Sequence, residues 1–243
     1  MRLPRIVVWL PFLLSLTACL EMEQTIELAA DGSGIQAVRL VMKEATLKEL
    51  ERAKAATLPA ASAGGPAAAF DEKLVAQELR DAGLEVKTHK VTKDPGQRSV
   101  ELVAAFPDFG TLQQSPLCGS AAEWVLAAGP QPGTARLTLY PQGKAAWVEA
   151  RARAEKMQGE TDPVAEGFFQ KRQQSLAGLD VTLRFKLPGD VLLCTNNMDQ
   201  TGPREVVARV TAAQIKTPQE LVRRLAPRFE VVFDARDCKL PLR

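Results

Sequence analysis

Beyond its first apolar run, the chain alternates apolar and polar side chains. Met22, Gln24, Ile26 and Leu28 alternate with Glu21, Glu23, Thr25 and Glu27, the two-residue period of a strand with one buried face. Asp31-Gly32-Ser33-Gly34 turns the chain and Ile35 to Met42 reads as the return strand, so 21–44 is a hairpin. Thr46-Leu47-Lys48-Glu49 is a capping box ahead of a modest helical stripe of Leu47, Leu50 and Ala53. Residues 58–69 are rich in Ala, Gly and Pro and carry no charge, the composition of a mobile loop. Asp71 caps a second helix, in which Leu74, Val75 and Leu79 share a face, Phe70 is placed to staple against Val75, and Gly83 ends the run.

A second hairpin is predicted from Leu84 to Val91 and Arg98 to Phe106 around Asp94-Pro95-Gly96, followed by one helical turn at Phe109 to Gln114. A third pairs Trp124-Val125-Leu126 with Ala135 to Tyr140. Gly143 to Met157 is helical by its alanine content, and Asp162-Pro163 starts another helix with Val164, Phe168 and Leu176 along one face. Leu179 to Leu187 alternates, Pro188-Gly189-Asp190 breaks it, and Val191 to Thr195 resumes. Asn196 to Pro203 reads as a polar loop, Arg204 to Val210 as a strand, and Thr217-Pro218-Gln219-Glu220 as a capped helix start; Phe229 to Phe233 is the final strand. The order predicts an α+β fold, mainly antiparallel sheet built from several hairpins with interspersed helices. A loose hairpin–helix–hairpin repeat leaves one large sheet and two packed subdomains both open.

The first eighteen residues differ in kind. Arg2 and Arg5 precede an apolar run from Ile6 to Leu14, and small residues follow, the three parts of a secretory leader. The run is shorter than the about 20 apolar residues a bilayer span needs. Leu16-Thr17-Ala18-Cys19 resembles the lipobox of bacterial lipoproteins. The resemblance implies cleavage after Ala18 and a diacylglyceryl thioether with an acylated amine on Cys19, palmitate-type chains included. The mature domain would then be 19–243, exported and anchored to a membrane. At about 0.8 kcal/mol per buried methylene, two or three chains hold a protein there almost permanently. Leu20 and Glu21 follow, with no Asp directly after the cysteine, which by resemblance to enteric lipoproteins favours the periplasmic face of the outer membrane.

Composition is that of an ordinary globular chain of 243 residues, 46% hydrophobic and 25% charged. The net charge of +2 and the lack of a basic run argue against nucleic acid as a partner. An exported domain meets an oxidising compartment, so the cysteines count. With Cys19 lipidated, Cys118, Cys194 and Cys238 remain, which allows three pairings or none. Cys194 ends one predicted strand and Cys238 follows the last, which favours that pair; three buried thiols are the alternative.

Two segments resemble the LppM-domain lipoproteins of bacteria. One is Cys19-Leu20-Glu21-Met22-Glu23-Gln24-Thr25-Ile26-Glu27-Leu28 running into Asp31-Gly32-Ser33-Gly34; the other is Leu187-Pro188-Gly189-Asp190-Val191 followed by Thr195-Asn196-Asn197. The resemblance implies an exported α+β domain at the envelope and supplies no catalytic residues. The chain departs from the family in lacking a tryptophan within Val206 to Val210, and Arg236 to Arg243 is short and polar where many members carry a membrane helix.

Candidate chemistry is sparse. His89 is the only histidine, and alternation puts it with Glu85 and Lys87 on a solvent face. No Cys-x-x-Cys occurs, which argues against thioredoxin-like redox chemistry and structural zinc. Asp180, Asp190 and Asp199 could supply a carboxylate pair, although turns and surface charge account for such residues more simply. Asn196 to Gln200 offers oxygen ligands without the spacing of a calcium loop. The glycine turn at 31–34 lacks the Lys-Ser/Thr pair of a phosphate loop. Trp124, Tyr140 and Trp147 could form an aromatic contact surface, but Trp124 and Tyr140 lie on neighbouring strands and fit a core better. These readings predict no catalytic residue, no metal, no cofactor, and a non-enzymatic module binding an envelope protein or amphiphile. A carboxylate hydrolase and a lipid carrier are the alternatives.

Overall fold

The computed structural model describes residues 20–48, 69–119, 121–157, 166–167, 169–170, 173 and 176–242. The leader with Leu16, Thr17, Ala18 and Cys19, nearly all of the Ala-rich stretch and the helix start at Asp162-Pro163 lie outside these residues. The described residues form the α+β fold that the pattern predicts. Its strands are β1 (Leu20–Leu28), β2 (Gly34–Lys43), β3 (Glu85–Asp94), β4 (Gln97–Phe106), β5 (Glu123–Ala128), β6 (Thr134–Tyr140), β7 (Asp180–Lys186), β8 (Val191–Cys194), β9 (Asp199–Gly202), β10 (Glu205–Thr211) and β11 (Phe229–Asp234). The helices with fully described bounds are α1 (Glu72–Asp81), α2 (Phe109–Gln113), α3 (Lys144–Lys156) and α4 (Pro218–Leu225); residues 44–48 and 166–167 are helical as well.

Seven strands make a large sheet in the order β3-β4-β2-β1-β7-β10-β9, and four make a small one in the order β5-β6-β11-β8. Every pairing is antiparallel except β1 with β7, which runs parallel from Glu21 opposite Asp180 to Glu27 opposite Lys186. The sheets share one core. Ile26, Leu102, Phe106, Phe185 and Val206 of the large sheet pack with Trp124, Leu137, Val231 and Phe233 of the small one. Trp124 meets Phe109 and Phe185 edge-on, with ring centroids 6.5 and 6.0 Å away.

The chain crosses from one sheet to the other at Leu187-Pro188-Gly189-Asp190. There Leu187 N–H bonds to Arg204 O (2.8 Å), Val191 N–H to Pro203 O (2.7 Å) and Asp234 N–H to Asp190 O (2.9 Å). A Cβ on Gly189 would overlap the Asp234 carbonyl oxygen, so only glycine fits the crossing.

Two helix starts hold as predicted, whereas the chain is already helical from Glu44, so Thr46 lies inside that turn and does not cap it. The Asp71 carboxylate accepts from Leu74 N–H at 3.1 Å, and Thr217 and Glu220 form a reciprocal capping box. Phe70 does not staple onto Val75; it packs on a second cluster of Leu40, Met42, Leu47, Ala69 and Val100. No described helix is long and apolar enough to cross a membrane.

Three further expectations need correction. The polar loop at Asn196 to Pro203 contains β9, an edge strand that pairs with β10. The Cys194–Cys238 bond is not formed: Cys118, Cys194 and Cys238 are all free. The Cys194 thiol instead faces the Met198 carbonyl of its own loop at 3.6 Å. His89 does not lie on the solvent face. A bulge between Val86 and Thr88 inserts one residue into β3, which moves His89 opposite buried Leu102.

Candidate functional site

The inner face of the large sheet carries the candidate site. Because directly paired residues share a face, two rows of side chains cross five adjacent strands. One row is Val100, Leu40, Met22, Val181 and Val210; the next is Leu102, Val38, Gln24, Leu183 and Ala208. These rows floor a cavity of about 180 Å³. Val75 and Leu79 of α1 wall it on one side, Leu225 at the end of α4 on the other, and Pro116 to Gly119 with Leu139 and Phe229 close over it.

Apolar cavities of ~150 Å³ already take up benzene, whereas drug-sized ligands need about 300–1,000 Å³. The space therefore suits one narrow hydrocarbon group and not a two-chain lipid. Among the described residues, two charged ones line it, Glu78 on α1 and Arg224 on α4.

A buried polar cluster closes one end. Gln36 is 0% exposed and Ser115 2%. Ser115 Oγ donates to Gln36 Oε1 at 2.6 Å, and Gln36 Nε2 donates to Cys118 Sγ at 3.0 Å. Gln24 Nε2 donates to Leu117 O at 3.2 Å and lies 3.8 Å from the same sulfur. Although Cys118 is partly exposed as a residue, its thiol points inward, and burial pushes it up to about 12 against the opposing influence of Gln36, Trp124 and Gln24. A thiol so placed stays protonated and is no nucleophile. The Trp124 indole N–H acts on it without completing a hydrogen bond. The cluster fastens the 115–118 segment onto β1 and β2 and so fixes one wall of the cavity.

His89 lies beside this site rather than in it. Its Nε2 bonds to Ala69 O at 2.9 Å, and Ala69 lines the cavity; its Nδ1 is buried without a partner. The three aspartates do not converge. Asp180 is held by Arg209, which keeps its carboxyl below the ordinary range, and Asp190 pairs with Arg204 at 2.9 Å. Asp199 sits on exposed β9. In the Asn loop, Asn197 Nδ2 donates to Arg228 O at 3.0 Å and Met198 is buried; no trio of metal-ligating side chains gathers among the described residues. Asp31 accepts from Ser33 N–H and Oγ at 3.0 and 2.7 Å, a self-contained turn. Trp124 is buried in the core as expected, and Tyr140 is buried on the opposite face of the small sheet, tilted against Trp147 at 5.7 Å.

The sequence does carry one signal for this site. Gln24 and Gln36 are amides at core-facing positions of alternating strands, where an apolar residue is the rule. Cys118, Ser115 and Arg224 have no such signature.

No family model matches the chain, and no curated protein matches it. Among solved structures, it is similar to the NMR structure of the folded domain of LppM from Mycobacterium tuberculosis, at 13% identity, over 89% of this chain and 90% of that one, with a TM-score of 0.44. That protein bears the name of the family that Cys19–Leu28 and the Leu187–Asn197 segment resemble. A likeness of this size carries no statement about ligand or activity.

Proposed function

We propose that the chain is an envelope lipoprotein held at Cys19, on the periplasmic face of the outer membrane, whose domain is a non-enzymatic module that binds the apolar part of an amphiphile. The apolar cavity across five strands is the observation that supports this reading. Its position adds to it. β1 begins at Leu20, directly after Cys19, and the first floor row passes through Met22. Three residues of extended strand span about 10 Å, so acyl chains on Cys19 would hold the cavity close to the membrane.

The test uses the mature chain, residues 19–243, with Cys19→Ser to remove the anchor. Saturable binding of an uncharged apolar fluorophore such as N-phenyl-1-naphthylamine is expected. Val181→Phe, which extends a side chain from the cavity floor, should weaken it at least about tenfold while the fold survives. Absence of saturable binding, or binding indifferent to Val181→Phe, would sink the proposal. In cells, Cys19→Ser should move the protein from the membrane to the soluble fraction.

A further inference from the structure

We infer that the amphiphile taken by this cavity is anionic and that Arg224 binds its headgroup, an inference that rests on the amphiphile reading and names its ligand class. Of the two charged residues on the cavity wall, Glu78 already has a partner. Arg224 has no carboxylate within ion-pair distance among the described residues and is only half exposed. A guanidinium withdrawn from water without an anion is costly, and an incoming anion offsets that cost.

The surroundings fit the same ligand. Arg223, Arg224 and Arg228 follow one another with no acidic residue between them. Arg228 is occupied, stacked 5.0 Å from the Trp147 ring centroid, and Arg223 is exposed. An arginine in the last turn of a helix complements the macrodipole, which would explain one turned to water. Arg224 instead lines apolar space, beside Leu225 and across from Val75 and Leu79. A hydrocarbon chain over the sheet would leave its headgroup at the α4 side, where the planar guanidinium can take two oxygens of a phosphate or carboxylate.

The experiment measures displacement of N-phenyl-1-naphthylamine from the mature chain carrying Cys19→Ser by dodecyl phosphate, dodecanol and inorganic phosphate. Dodecyl phosphate should displace at about ten- to hundredfold lower concentration than dodecanol, the worth of a charge-assisted hydrogen-bonded pair. Inorganic phosphate should not displace. Arg224→Gln should erase the difference and leave the dodecanol midpoint unchanged, while Arg223→Gln should retain most of it. Equal potency of the two alkyl probes, a preference that survives Arg224→Gln, or displacement by inorganic phosphate alone would overturn the inference. Failure of the fluorophore to bind at all would overturn the amphiphile reading with it. Should Arg224→Gln not fold, salt decides with the wild type: the preference must shrink several-fold between about 0.05 and 0.5 M NaCl, and a salt-independent preference refutes it.

Discussion

Replacing Gly189 by alanine tests the joint between the two sheets. The added Cβ would overlap the Asp234 carbonyl oxygen and stand 2.8 Å from its carbon and 3.5 Å from its Cα. All three are backbone atoms at the end of β11, so no rotamer change relieves the overlap. Relief requires the β7–β8 connection to draw away, which stretches the bonds from Asp234 N–H to Asp190 O and from Val191 N–H to Pro203 O. Overpacking costs about 1–3 kcal/mol, and two weakened backbone hydrogen bonds add about 1 kcal/mol each. The expected loss is about 3–5 kcal/mol, a large share of the about 5–15 kcal/mol that holds a domain folded. Gly167→Ala is the matched control. That glycine is helical, with nothing within 4 Å of the point where a Cβ would stand, so alanine should stabilise by about 0.5–1 kcal/mol. Urea unfolding at constant m-value reads both changes. A Gly189→Ala midpoint within about 0.5 kcal/mol of the wild type would refute the argument, as would the same sign for both substitutions.

Three further outcomes follow from the buried cluster, the thiols and the acidic groups. Ser115→Ala strands Gln36 Oε1 in a site closed to water, so it should cost about 1–3 kcal/mol in urea unfolding, and Gln36→Leu added to it should recover part of the loss. With Ellman's reagent at pH 8, Cys194 and Cys238 should react in the native protein and Cys118 only after unfolding; early reaction of Cys118 would contradict its placement. The Arg236 guanidinium lowers Asp234 from its ordinary 3.8 to about 2. Its folded value being depressed, the pair adds stability above the ordinary value, and that stability is lost as pH falls through about 2. Asp234→Asn should therefore flatten the acid limb of the stability curve between about pH 4 and about 2, and an unchanged limb would count against the pairing.

Hairpins are the most legible part of the sequence, because alternation and glycine turns are both local. β1 with β2, and β5 with β6, follow directly from them. β9 is hidden because Asp199-Gln200-Thr201-Gly202 has no apolar residue; pairing with β10 alone makes it a strand. His89 is misplaced by simple alternation because a bulge slips the two-residue phase, and nothing in Val86-Lys87-Thr88 announces a bulge. The cavity is invisible for a different reason. Each of its five floor strands contributes one residue per row, aliphatic in every strand but β1, and only the sheet order brings them together. Arg224 reads in isolation as a helix-end charge, and its neighbours across the cavity come from the first hundred residues.

The parallel pairing of β1 with β7 has a consequence for how the chain matures. β1 is made first, and β2 soon covers one of its edges, but the other edge stays bare until residues 180–186 exist. A bare strand edge is a template for joining a second copy. Glu21, Glu23 and Glu27 stud that strand, so two nascent copies aligned in parallel would set like charges side by side. The proper partner reverses the sign: Arg184 reaches Glu23 at 3.8 Å and Lys186 reaches Glu27 at 3.5 Å. The acidic row thus disfavours parallel pairing with a second copy until β7 is in place, and the charges of β7 match it in register.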